Sequence, residues 1–120
     1  MIGSGRYRLT PAADSDVAAV LSETRARFGT RQQDVYASLI ASALRLVAVE
    51  PMRPGSKDRS DLEEGLRSFP LALAAKRKRA AAHILYYRLA AAPGADGIEV
   101  MRVLHQSVDP RSHLPEAAPD

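Results

Sequence analysis

The chain has no cysteine and only three histidines among its 120 residues. Without cysteine it can form neither a disulfide framework nor a thiolate metal site. His83, His105 and His113 have no other ligand type at a zinc-like spacing, so no metal and no cofactor is expected. No apolar run approaches the roughly 18 residues that a bilayer requires, and no charged-then-apolar leader opens the chain. These features set the expectation of a cytoplasmic protein without membrane attachment. Gly3-Ser4-Gly5 precedes strand-like text and lacks the lysine of a phosphate-binding loop. Serines such as Ser68 have no elbow of glycines around them. Carboxylates cluster only between Asp58 and Glu64, a stretch that reads as solvated and unsuited to acid–base work. With two phenylalanines and four tyrosines, aromatics are too few to interleave with cations as a base-stacking module would need.

Hydrophobic residues make up 46% of the chain and charged residues 26%, a balance that supports one domain over residues 1–120 with a modest core. The first five residues and residues 115–120 read as flexible ends. The formal charge is +3, carried mostly by arginine, which suits either an anionic partner or solubility alone. Its sharpest concentration is Lys76, Arg77, Lys78 and Arg79.

The hydrophobic period places the elements. Arg6 to Thr10 alternates as a short strand. Thr10-Pro11 is a helix start, with the hydroxyl as cap and proline in the first turn. Ala13, Val17, Val20, Leu21, Thr24 and Phe28 then form one helical stripe that Gly29 ends. Thr30 restarts a helix, with Gln33 completing a capping box, and Tyr36, Leu39, Ile40, Ala43, Leu44 and Val47 lie on its inner stripe before Pro51. Phe28 and Tyr36 are expected in the core. With almost no linker, the two helices must form an antiparallel hairpin. Residues 52–64 read as a loop containing at most one helical turn. Leu66 to Leu73 reads as a strand with Arg67, Phe69 and Leu71 on one face, and Pro70 assigns it to an edge or a bulge. Residues 72–82 read as a long basic connection. His83–Leu89 and Ile98–His105 form an antiparallel pair around the turn signals Pro93, Gly94, Asp96 and Gly97. The fold class is α+β: an N-terminal strand, a helical hairpin and three antiparallel strands in two layers.

Two features carry chemistry. Arg67, the Lys76–Arg79 cluster, Arg88 and Arg102 set cations on or beside the sheet, where arginine can hold carboxylate or phosphate bidentately or can simply solubilise. His105 ends the last strand, as either a structural hydrogen-bonding residue or a proton carrier.

In this order the segments resemble the ParE branch of the RelE/ParE toxins. Tyr7-Arg8-Leu9-Thr10-Pro11-Ala12-Ala13 is similar to the ParE opening, and Phe28-Gly29 to the aromatic–glycine pair between its helices. Leu66-Arg67-Ser68-Phe69 and Ile84-Leu85-Tyr86-Tyr87-Arg88 resemble its inner strands. Ile98 to His105, followed by Val108-Asp109 and Pro110-Arg111-Ser112-His113-Leu114, is the strongest match. The stretch from Leu71 to Ala82 departs from compact members in being longer and more basic. The resemblance implies an antiparallel sheet with the first strand beside the last. It also implies a type II toxin that inhibits DNA gyrase, is not itself a catalyst, and is neutralised by a ParD-like antitoxin with a short, acidic C-terminal segment. Arg67, Lys76, Arg77, Lys78, Arg79, Arg88, Arg102 and His105 are then the candidates for binding antitoxin or target. The alternative is a RelE-like endoribonuclease cutting mRNA on the ribosome, in which His105, Arg67 and Arg102 would form the catalytic group.

Overall fold

In a computed structural model, residues 3–75, 81–90 and 96–114 are described. The Lys76–Arg79 cluster, the turn at Pro93-Gly94 and the tail from Pro115 lie outside those residues. The first strand, β1 (Tyr7–Leu9), gives way to helix α1 (Pro11–Phe28) at the residue whose chemistry favours it. The Thr10 side chain accepts the Ala13 amide at 3.1 Å, while its hydroxyl donates to the Met101 carbonyl at 2.9 Å. One side chain thus caps the helix and ties it to the sheet. Gly29, at φ 90° and ψ 175°, reverses the chain into α2 (Thr30–Val49) through backbone geometry that only glycine adopts without strain. The expected capping box does not form. Gly29 occupies the N-cap, and the Gln33 side chain crosses to the Leu21 carbonyl at 3.2 Å, stitching the hairpin together instead.

The sheet has five strands in the order β1-β5-β4-β3-β2, with β2 at Lys57–Asp58, β3 at Arg67–Pro70, β4 at His83–Leu89 and β5 at Ile98–His105. β2, a two-residue strand on β3, falls within the segment expected to be a loop. β3 is shorter than expected. Beyond Pro70, Leu71–Ala74 form a 3-10 turn, because proline lacks an amide and its fixed φ breaks the ladder. β2 does not reach Pro70, so the proline sits on an open edge as its chemistry requires.

β1 does lie beside β5, but the two run parallel, which makes the sheet mixed rather than antiparallel. The path of the chain explains it. Its α2 end returns beside its start, where the Gly3 and Gly5 amides donate to the Val49 and Ala48 carbonyls. The later strands therefore set out from the end where β1 began, and β3, β5 and β1 share a direction.

Met101 is an extra residue between the Tyr86–Arg102 and Tyr87–Val100 pairs. This bulge keeps both Val100 and Val103 on the helix-facing side with Phe69, Leu85, Tyr87 and Ile98, against Ile40, Ala43, Leu44 and Val47 of α2. Met101 and Leu104 join Leu66, Tyr86 and Leu114 in a smaller apolar cluster on the opposite face. The Tyr87 ring is fully buried, and its hydroxyl donates to the Pro51 carbonyl at 2.5 Å, fixing the exit of α2 against β4.

Candidate functional site

The apolar stripes of both helices run on past the sheet. On α1, Ala13, Val17 and Leu21 pack into the core, whereas Val20, Thr24 and Phe28 line an open groove. On α2, Ile40, Ala43, Leu44 and Val47 are core residues, whereas Val35, Tyr36 and Leu39 face the same groove. Ala81, Ala82, His83, His105 and Ser107 form its floor at the ends of β4 and β5, and its volume is about 660 Å³. Phe28 is therefore not a core residue. It stands 68% exposed beside the turn at Gly29, and Tyr36 is half-buried on the groove wall. A stripe that stays apolar beyond the surface it covers leaves an unpartnered face.

Three side chains meet on the floor. His83 and His105 are directly opposed across the β4–β5 ladder, with their rings edge to face and centroids 5.3 Å apart. The Tyr36 hydroxyl reaches His83 Nδ1 at 2.6 Å. Burial raises the Tyr36 hydroxyl above its ordinary range, and burial together with neighbouring His105 lowers the His83 imidazole, so both are uncharged at neutral pH. On the other ring, the Ser107 amide and hydroxyl converge on His105 Nδ1 at 3.1 and 2.7 Å.

The arginines singled out in the sequence are spread apart rather than gathered. Arg102 makes a two-pronged contact with Asp16 of α1 at 2.7 and 2.8 Å, and the same carboxylate accepts the Val103 amide at 2.9 Å. β1 pairs with β5 only as far as Val100, so Asp16 takes the amide that a longer β1 would have taken. A further Arg102 nitrogen donates to the His113 carbonyl. Arg88 bridges Glu63 and Glu99, and Arg8 joins it on Glu99 from β1. Arg67 donates to Ser56 at 2.8 Å, and its Nε is buried without a partner among the described residues. Of the candidates within the described residues, His105 alone lies in the groove. His83 and Tyr36, which the sequence reading passed over, join it there.

The cluster around Glu99 has a consequence for acid stability. Its carboxyl is held below the ordinary range, first by the hydrogen bond from Arg8 and then by Arg88. A depressed folded-state pKa contributes stability that is present above the unfolded value and lost as pH falls through the folded one. The stability advantage of the wild type over Glu99→Gln should therefore shrink between about pH 6 and about pH 3. Parallel urea titrations across that range check this, and a pH-independent difference would contradict it.

Strand, helical hairpin and an antiparallel run of strands beneath an overhanging groove define a two-layer α+β protein with a mixed sheet. The chain belongs to the ParE toxin family of type II toxin–antitoxin systems, described as "ParE toxin of type II toxin-antitoxin system, parDE", whose profile matches residues 7–110. It is similar to toxin ParE1 of Caulobacter vibrioides, with 29% identity over 108 residues that span 90% of this chain and 96% of that toxin. It is also similar to toxin ParE1 from two strains of Mycobacterium tuberculosis, with 30% identity over 106 residues that span 88% of this chain and 94% of each.

Proposed function

We propose that this ParE-family toxin acts in the cytoplasm by inhibiting DNA gyrase, and that its cognate antitoxin silences it by laying a C-terminal segment in the groove between helical hairpin and sheet. The observation that carries the antitoxin part is the continuation of both apolar stripes past the sheet, which leaves Phe28 and Val35 exposed around a groove of about 660 Å³. A partly disordered, acidic partner recovers its ordering cost by burying such apolar anchors and by matching charge. Arg27 lines the groove and supplies a cation beside its apolar walls, and Lys76, Arg77, Lys78 and Arg79 are the chain's sharpest concentration of positive charge for such a partner. Arg67, Arg88 and Arg102 lie on the sheet outside this groove and would meet only an antitoxin segment that extends past it.

Gyrase inhibition rests on family membership. It is supported by the dispersal of the alternative catalytic group: Arg102 is committed to Asp16, Arg67 to Ser56, and His105 stands in the groove. Purified gyrase should lose supercoiling activity on addition of the protein and regain it on addition of antitoxin. Unimpaired supercoiling, together with new cleavage sites by primer extension on translated mRNA, would reverse the assignment in favour of the ribosomal nuclease.

A further inference from the structure

The tautomers of the two groove histidines are set by their neighbours. A backbone amide can only donate, so Ser107 N–H on His105 Nδ1 makes that nitrogen an acceptor and places the proton on Nε2. A phenol is a stronger acid than a neutral imidazole N–H, and an imidazole nitrogen a stronger base than a phenol oxygen, so the Tyr36 hydroxyl donates to His83 Nδ1 across their 2.6 Å contact. His83 therefore also carries its proton on Nε2. Neither Nε2 has a hydrogen-bond partner among the described residues, and neither belongs to the sealed, unpartnered atoms, which are Arg53 Nε, Glu63 Oε2 and Arg67 Nε. The nearby carboxylates are engaged elsewhere: Glu23 with Arg27, and Asp16 with Arg102. The groove thus brings two imidazoles with unpaired N–H groups together on its floor beneath apolar walls, and Glu23, the one carboxylate among its described lining residues, is paired with Arg27.

We infer that the His83–His105 pair is a receptor for one side-chain carboxylate, an aspartate or glutamate of an acidic amphipathic segment whose apolar face lies against Val20, Val35 and Leu39. This rests on the reading that an antitoxin segment occupies the groove, and it adds the polar contact that fixes the segment's register. The fixed tautomers also disfavour a metal ion, which would need a lone pair where each Nε2 bears its proton.

The groups facing the pair are Tyr36 on α2 and Glu23, Arg27 and Asp16 on α1, along with the two imidazoles themselves. A carboxylate docked against His83, whose imidazole burial holds below the ordinary range, favours its protonation, so binding takes up a proton and affinity rises as pH falls below about 7. An apolar lid over the same rings would do the reverse.

The test uses the full chain and its full-length cognate antitoxin. His105→Ala should weaken binding about tenfold, the scale of one hydrogen bond to a charged group. His105→Gln, which keeps a donor, should recover most of the loss. Replacing the acidic residues of the antitoxin C-terminal segment one at a time by their amides should reveal one position that costs the same factor in wild type and nothing more in His105→Ala. Imidazole signals followed by NMR should titrate at higher pH in the complex than in the free toxin. If no antitoxin carboxylate couples to His105, or the imidazoles titrate lower in the complex, the carboxylate receptor is refuted. Val35→Glu separates the two levels. Unchanged affinity in that variant removes the groove reading itself, whereas lost affinity without any His105 coupling removes only the carboxylate.

Discussion

Replacing Asp16 by alanine is expected to destabilise the protein by about 3 kcal/mol, the lower end of the cost of removing one partner from a buried ion pair. The side chains of Asp16 and Arg102 are 14% and 19% exposed, so neither charge is well solvated once its partner has gone. The loss has two parts. Arg102 keeps only the His113 carbonyl, and the Val103 amide loses its acceptor on an open strand edge. Asp16→Asn retains an oxygen for the amide but gives up the charge, and should cost about half as much by the same reasoning. The expected fall in melting temperature for alanine is on the order of 10 °C. A loss below about 1 kcal/mol would show that the contact behaves as an ordinary surface pair.

Gly97→Ala should be at least as damaging. Gly97 sits at φ +87°, where a side chain costs about 1–2 kcal/mol in backbone strain alone. An added Cβ would stand 2.3 Å from the Arg6 carbonyl oxygen, the same oxygen that accepts the Ile98 amide at 3.0 Å. The alanine methyl must push β1 away from β5, so the parallel pairing opens at its first rung. The combined expectation is about 3 kcal/mol or more. Hydrogen exchange gives a local readout, with the Ile98 amide protected in wild type and exchanging rapidly in the variant. Continued protection at Ile98 with little change in stability would mean that the turn relaxes around the methyl.

Much of this architecture can be read from local patterns. Thr10-Pro11, Gly29 and Pro51 mark the ends of the helices because capping, left-handed geometry and a missing amide act within a residue or two. The alternation of His83–Leu89 and Ile98–His105 marks two strands, but counting outward from the Leu89–Ile98 pair sets His83 opposite Leu104, and only the extra residue Met101 moves it opposite His105. That pairing points to a site only once Tyr36 is known to reach across from α2. Phe28 and Val20 could not be separated from core residues by period alone. A helical stripe looks the same whether it covers the protein's own sheet or projects beyond it.

The two helices and their hairpin, the strands β1, β4 and β5 and the family are carried by the sequence, since each comes from short-range chemistry or from ordered text along the chain. Long-range packing set the parallel course of β1, the bulge at Met101, the commitment of Arg102 to Asp16 and the meeting of Tyr36, His83 and His105. Each of these depends on residues far apart in sequence coming together, and that proximity is set by where the helices end relative to the sheet.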